Sequence, residues 1–132
     1  MALCVWKEAR GEGELGMKAV ADVIVNRAKD QGNGALHPIH TVAYAKNQFT
    51  SMSVPSDPEF NLQPQSDDKQ QYEFARSVCQ PIVEGQMSDI TNGALYYANL
   101  AHVSSGWFED NIVKNTVLHP QVAVIGKQTF YK

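Results

Sequence analysis

The sequence predicts an α+β fold that is mainly helical and carries a small antiparallel β-sheet. In the first two thirds of the chain, apolar residues recur at helical spacing over segments long enough to form helices. In the last third, short runs of β-branched and aromatic residues lie between glycine-containing turns, which is typical of strands. With 132 residues, of which 43% are hydrophobic and 19% charged, the chain has the size and composition of one globular domain. We therefore expect a single domain spanning residues 1–132, with the sheet beside the helices.

The first helix is predicted over residues 2 to about 10, and Gly11 and Gly13 end it. On a helical wheel, Glu8 falls to the side of the apolar group and closest to Cys4, so it should flank the core without entering it. That is the position that a cleft residue needs. The apolar group consists of Leu3, Val5, Trp6 and Ala9.

The second helix, from residue 15 to about residue 29, has the most regular pattern in the chain. Its polar residues form a single stripe and apolar residues cover the rest, so this helix should be buried on most of its circumference and form the centre of the domain. Arg27 lies in its last turn, where a cation interacts favourably with the helix dipole. We expect Arg27 to be a partner of the helix end and not a substrate-binding residue.

The middle of the chain is predicted to contain two further helices, one strand and a long loop. In chain order these are a loop at residues 31–34, a short helix at residues 38–45, a strand at residues 48–52, an irregular loop to residue 66 that overhangs a cleft, and a helix from about residue 67 to residue 84. His37 and His40 have the spacing of a metal-binding pair, but no cysteine or acidic cluster accompanies them, so we expect no metal site. Cys4 and Cys79 lie in apolar helical patterns and are expected to be buried free thiols.

The last third is predicted to supply strands at residues 94–98 and 121–132, the second of them interrupted by Gly126. Together with residues 48–52 these strands would form the antiparallel sheet. The intervening residues 99–119 show no clear periodicity.

The charge and hydropathy patterns argue against two classes of partner. A net charge of −3 does not suit nucleic acid, whose binding calls for a basic patch or stripe. No apolar run reaches the length that crosses a membrane, so we expect no membrane insertion.

Five short stretches stand out along the chain. They are Glu8-Ala9-Arg10-Gly11-Glu12 with the following Gly16, the helical residues 19–27, Gln48-Phe49-Thr50, residues 93–97 and residues 125–130. In content and order they resemble the signatures of the SleB-type cell-wall hydrolases, the family of spore-cortex-lytic enzymes and related phage lysins. The resemblance spans nearly the whole chain. Two positions depart from the family pattern: Gly13 stands where proline is frequent, which alters only the turn, and Gln128 stands where histidine is frequent, so no role there can rely on an imidazole.

The resemblance implies a lysozyme-like lytic transglycosylase that cleaves peptidoglycan with one catalytic glutamate, Glu8, and with no cofactor. A carboxyl group at a helix end and among apolar neighbours should have a raised pKa, as a general acid requires. Glu8 would protonate the glycosidic oxygen between N-acetylmuramic acid and N-acetylglucosamine. The same carboxylate would then take the proton of the C6 hydroxyl as a 1,6-anhydro ring closes.

The resemblance also implies a substrate groove beside the sheet. Residues near it would be Glu12, Gln48 and Thr50, and the acetamido group of the sugar would be held by Thr50, Tyr97 or Asn99. Trp107 is either an exposed ring that stacks on a sugar or a plain core residue. The expected partners are peptidoglycan glycan strands, bound by a monomer.

Two other functions are compatible with the sequence. A hydrolytic muramidase would need a second carboxylate, about 5 Å from the first for retention or roughly 6.5–9.5 Å for inversion. The sequence offers Glu12, Glu14, Glu109 and Asp110 for that role. A catalytically silent wall-binding module is the other alternative, although the complete Glu8 motif counts against it.

The N-terminal residues lack the basic and apolar pattern of a signal peptide. An enzyme acting on the bacterial cell wall would then be a phage lysin released by another route or an excised domain of a secreted protein.

Overall fold

The computed structural model describes residues 1–32, 38–45, 48–103 and 106–132. Its helices are α1 (Ala2–Ala9), α2 (Gly13–Gln31), α3 (Ile39–Ala43), α4 (Thr50–Ser53), α5 (Lys69–Val83) and α6 (Gly106–Phe108), with 3-10 turns at Arg10–Glu12 and Ser66–Asp68 and a π-helical turn at Glu109–Val113. The strands are β1 (Tyr96–Ala98), β2 (Gln121–Ile125) and β3 (Gln128–Tyr131). The prediction of a mainly helical fold with a small antiparallel sheet is confirmed.

Helix α2 is the centre of the domain, as its sequence pattern predicts. Helices α1 and α5 pack against it in one hydrophobic core, and a smaller cluster joins its other side to the sheet. Most of the polar stripe of α2 does not face water, because it binds the segment that leads into β1. Asp22, which is only 2% exposed, accepts hydrogen bonds from the Ile90 backbone N–H at 3.0 Å and from Lys18 Nζ at 3.1 Å. Asn26 Nδ2 donates to the Ala94 carbonyl at 3.2 Å.

The sheet has the order β1-β3-β2, with both pairs antiparallel. Strands β2 and β3 form a hairpin whose turn contains Gly126 at φ 58°, a left-handed conformation that favours glycine. Phe130 of β3 is fully buried with Ala19 and Val23 of α2, which fixes the sheet on the central helix. The ring of Tyr97, opposite Phe130 in β1, stacks on the Phe130 ring with centroids 5.7 Å apart. This packing determines where the Tyr97 hydroxyl lies.

The prediction of a strand at residues 48–52 is wrong. Phe49 is extended, but Thr50–Ser53 form one turn of helix, and the Ser53 hydroxyl donates back to the Phe49 carbonyl at 2.9 Å. In a strand, Phe49 and Met52 would point to opposite faces, whereas one helical turn buries both of them. The third strand of the sheet comes instead from the division of residues 121–132 into two strands.

The two cysteines, Cys4 and Cys79, are both buried and free, which confirms the prediction for them. Burial raises the pKa of Cys4 far above its usual range and that of Cys79 to about 11. His37 and residues 33–34 of the predicted loop at residues 31–34 lie outside the described residues. Within the described residues, no group of three or more His, Cys, Asp or Glu side chains is placed to hold a metal ion. None of the helices in the described ranges has the length and apolarity needed to cross a membrane.

Candidate active site

Glu8 lies in the last turn of α1, where three separate elements meet. Ser51 in α4 donates its hydroxyl hydrogen bond to Glu8 Oε1 at 2.6 Å. Tyr97 in β1 donates its phenolic hydrogen bond to Glu8 Oε2 at 3.1 Å. Each carboxylate oxygen therefore has one hydroxyl partner, and the side chain flanks the core as predicted from the helical wheel.

The pKa of the Glu8 carboxyl is raised above the usual glutamate range. Burial is the main cause, because a desolvated carboxylate loses its hydration. The hydrogen bonds from Ser51 and Tyr97 favour the ionised form and lower the pKa, whereas the nearby negative charges of Glu59 and Asp57 raise it. The net effect keeps a proton on Glu8 to higher pH than on an exposed glutamate, which is the property of a general acid.

Glu8 borders a cavity of about 620 Å³ with largely aromatic walls. The residues that line it are Glu8, Arg27, Gln48, Tyr96, Tyr97, Trp107 and Phe108. Trp107 is 67% exposed, so it is not a core residue, and its ring is available to a ligand. Flat aromatic faces beside an acid of raised pKa are suited to a sugar ring whose glycosidic oxygen is to be protonated.

A second cleft of about 280 Å³ also borders Glu8, and its walls are charged. Arg10 forms a two-pronged ion pair with Glu59, with nitrogen–oxygen distances of 3.1 and 2.9 Å, and its guanidinium lies 4.8 Å from the Trp6 ring centroid. Glu12 lines the same cleft. Both hollows are lined by Glu8, and we call the two together the groove.

Lys7 anchors the segment from Ser51 to Phe60, which carries one of the two Glu8 partners, Ser51. The side chain is only 5% exposed, and its Nζ donates to the Ser51 carbonyl at 3.1 Å and to the Phe60 carbonyl at 2.8 Å. These contacts tie both ends of the loop between α4 and Phe60 to helix α1. The position of the Ser51 hydroxyl therefore depends on a residue adjacent to Glu8.

Replacing Lys7 with methionine is expected to lower the free energy of unfolding by about 2–3 kcal/mol, because two backbone carbonyls lose a charged donor. Urea unfolding monitored by circular dichroism measures this change. Lys29→Met removes an exposed lysine at the end of α2 and should alter stability by less than about 0.5 kcal/mol. Equal losses in the two variants would contradict the anchoring role of Lys7.

The structure brings most of the predicted site residues to the groove. Gln48, Tyr97 and Trp107 line the aromatic cavity with Glu8, and Glu12 lines the charged cleft. The Glu12 side chain packs closely against Gly16, since a Cβ added at Gly16 would overlap with the Glu12 Cβ. The glycine four residues after Glu12 therefore makes room for that side chain.

Two predicted site residues lie away from the cavity. The exposed Thr50 donates its hydroxyl to Asp57 Oδ2 at 2.6 Å. The Asn99 side chain accepts the Ala101 backbone N–H at 3.1 Å and so stabilises the turn after β1. Neither residue is among those that line the aromatic cavity or the charged cleft.

Several groove residues are missed by the sequence patterns. Ser51 is next to Thr50, and only the helical turn that replaces the predicted strand directs it at Glu8. Arg27 is not a helix-end partner as expected, because its Nε donates to the Leu95 carbonyl at 2.6 Å and the side chain borders the cavity. The sequence feature that could have indicated Arg27 is its position at the end of the family motif at residues 19–27.

Of the four candidate second carboxylates, three lie outside the groove and one lines it. Glu109 and Asp110 are exposed and pair with Lys114 at 3.2 and 2.9 Å, and neither lines the groove. Glu14 is exposed at the start of α2 and lies outside the groove as well. Glu12 does line it, together with Glu59, which the sequence patterns did not single out.

A family model described as Cell Wall Hydrolase matches residues 11–131. The chain belongs to the cell wall hydrolase family. This confirms the family resemblance of the sequence, and the aligned relatives extend it to the segment that contains Glu8.

Among curated relatives of this cell wall hydrolase is a spore cortex-lytic enzyme of Oceanobacillus iheyensis, 35% identical over 134 residues that cover 100% of the chain and 40% of that protein. A spore cortex-lytic enzyme of Halalkalibacterium halodurans is 33% identical, and the match covers 98% of the chain and 33% of that protein. The chain thus spans well under half the length of these relatives.

Two solved structures share the fold of this cell wall hydrolase. The catalytic domain of the germination-specific lytic transglycosylase SleB from Bacillus anthracis matches with a TM-score of 0.70 and 31% identity, covering 100% of this chain and 90% of that one. The catalytic domain of the Bacillus cereus SleB protein matches with a TM-score of 0.69 and 31% identity, covering 100% of this chain and 86% of that one. The predicted fold class is therefore that of the SleB catalytic domain.

Proposed function

We propose that this cell wall hydrolase is a lytic transglycosylase that cleaves the peptidoglycan of the bacterial cell wall, with Glu8 as general acid and then general base. The observation that carries the proposal is the Glu8 carboxyl, which has a raised pKa, two hydroxyl partners and direct contact with a cavity of about 620 Å³. The relative from Bacillus anthracis, a germination-specific lytic transglycosylase, supports it.

In the first step, protonated Glu8 donates its proton to the glycosidic oxygen between N-acetylmuramic acid and N-acetylglucosamine. The bond from that oxygen to C1 of the muramoyl residue breaks, and C1 becomes an oxocarbenium-like centre. Glu8 becomes a carboxylate at this moment. The hydroxyls of Ser51 and Tyr97 donate to its two oxygens and stabilise the charge where it develops.

In the second step, the Glu8 carboxylate accepts the proton of the C6 hydroxyl while O6 bonds to C1. The product is a 1,6-anhydromuramoyl end, Glu8 is protonated again, and no water is consumed. Hydroxyl groups suit this cycle because each can donate to the carboxylate or accept from the carboxylic acid. Burial raises the pKa of Tyr97 well above its usual value, so its hydroxyl keeps its proton throughout.

Hydrolysis by a muramidase mechanism is the second candidate, favoured by the two carboxylates of the charged cleft. Glu59 is a poor base, because Arg10 donates two hydrogen bonds to its oxygens. Glu12 has no such pair among the salt bridges of the described residues, so it is the residue that would activate water.

Mass spectrometry of the soluble fragments from purified peptidoglycan separates the two reactions. We expect the wild type to produce anhydromuramoyl ends. The ratio of anhydromuramoyl ends to reducing ends should be the same in Glu12→Gln. Reducing ends that carry one added water and that disappear in Glu12→Gln would establish hydrolysis instead. Binding of peptidoglycan without any fragment would favour the silent wall-binding module.

Trp107→Ala is expected to raise KM for soluble glycan fragments about 3- to 10-fold with little change in kcat, because one stacking surface for a sugar is lost. The measurement is steady-state kinetics of fragment release. Leu118→Ala, which shortens another exposed apolar side chain, is the matched control and should leave KM unchanged. An unchanged KM in Trp107→Ala would remove this ring from the binding site.

A further inference from the structure

The guanidinium group of Arg27 is held in a fixed orientation at the wall of the aromatic cavity. Its Nε donates to the Leu95 carbonyl at 2.6 Å. The guanidinium carbon lies 5.0 Å from the Phe49 ring centroid and 5.9 Å from the Tyr96 ring centroid. One hydrogen bond and two aromatic rings therefore fix a cation in the cavity that Glu8 borders.

One donor of this cation is unused. Arg27 Nη1 is buried, and it has no hydrogen-bond acceptor among the residues that the structure describes. A buried charged donor without an acceptor is unfavourable, and an arginine does not escape that cost by losing its proton. An acceptor supplied by a ligand would stabilise this donor, and because Nη1 has almost no exposed surface, neighbouring side chains of the cavity wall must move aside for the ligand to reach it.

We propose that Arg27 binds the carbonyl oxygen of a sugar acetamido group and so positions the glycan against Glu8. The proposal deepens the proposed function and rests on it. Arginine carries only donors, so it favours a group that only accepts, such as an acyl oxygen, over a hydroxyl that must also place its own hydrogen. The ring of Tyr96, which also lines the cavity, offers an apolar surface to the acetamido methyl group.

This role replaces the assignment of the acetamido group to Thr50, Tyr97 or Asn99, because those three side chains form hydrogen bonds elsewhere in the fold. Arg27 is a positioning residue, since the proton transfers involve Glu8 alone. Its contribution should appear in the recognition of the 2-substituent of the sugar and not in the chemistry of the acid.

The test measures binding by calorimetry in the Glu8→Gln variant, so that no ligand is consumed. Chitotetraose and cellotetraose are the probes, because both are neutral and differ at C2, where one carries acetamido groups and the other hydroxyls. Arg27→Met should lower chitotetraose affinity about 10- to 100-fold, the range for the loss of one hydrogen bond from a charged donor, and leave the weaker cellotetraose affinity unchanged. Arg27→Lys keeps the charge but not the planar fork, and it should not restore the affinity.

An equal loss for both probes, or no loss for either, would overturn the proposal. Thermal unfolding of both Arg27 variants checks that they fold, and Arg27→Lys keeps the test valid if the methionine variant does not. Turnover that persists in Glu8→Gln would defeat the proposed function without changing these binding results.

Discussion

Glu8→Gln is expected to reduce the rate of fragment release from purified peptidoglycan at least about 100-fold, the lower range for loss of a general acid. Glutamine keeps the size of the side chain, and its amide can accept from one of the two hydroxyls and donate to the other, but it has no acidic proton to give to the glycosidic oxygen. Initial rates measured with purified peptidoglycan check this expectation. Glu14→Gln is the matched control, because Glu14 is exposed, lies outside the groove and undergoes the same chemical change.

The same variant should not be less stable than the wild type at neutral pH. Because the folded-state pKa of Glu8 is raised, the folded protein holds this proton to higher pH than the unfolded chain does. Wild-type stability should therefore fall as pH rises from about 4.3, the ordinary glutamate value, through the raised pKa of the folded state. Glu8→Gln lacks this decline, so the difference in Tm between variant and wild type should grow with pH. A Glu8→Gln protein that unfolds more readily at pH 8 than the wild type would indicate a structural role for the carboxylate.

The parts of the site that depend on local periodicity could be predicted from the sequence. The face of α1 that carries Glu8 and the buried circumference of α2 both follow from the 3.6-residue repeat. The partners of Glu8 could not be predicted in this way, since Ser51 lies 43 residues away and Tyr97 lies 89 residues away. The family resemblance implies Tyr97 only as a holder of the acetamido group and not as a partner of Glu8, and Ser51 was hidden by the wrong strand at residues 48–52.

Arg27 shows a different limit of the sequence patterns. The helix dipole alone accounts for a cation in the last turns of a helix. The sequence around Arg27 therefore gave no reason to expect that Arg27 binds a ligand. Its position in the cavity depends on Leu95 and Tyr96, which the polar stripe of α2 places by binding the segment before β1. Helix α2 thus carries Arg27 and also positions the segment whose Leu95 carbonyl orients the Arg27 side chain at the cavity.

Ser51→Ala is expected to lower kcat/KM at the pH optimum about 10- to 100-fold and to move the basic limb of the pH profile to higher pH. The loss follows because the carboxylate formed in the first step keeps only the hydrogen bond from Tyr97, and a bond to a charged group contributes about 1.5–3 kcal/mol. The shift follows because the Ser51 hydrogen bond lowers the pKa of Glu8, so its removal raises that pKa and keeps Glu8 protonated to higher pH.

The direction of the pH shift distinguishes this role from a structural one. Ser53→Ala, two residues further along α4, removes a hydroxyl that donates to the Phe49 carbonyl, so it should leave the basic limb in place. If Ser51→Ala lost activity with no shift, its hydroxyl would matter for the loop and not for the charge on Glu8. If the Ser51→Ala enzyme is slower but remains active to higher pH, Ser51 must contact Glu8 directly. Misfolding alone would lower the rate without changing the pKa of Glu8.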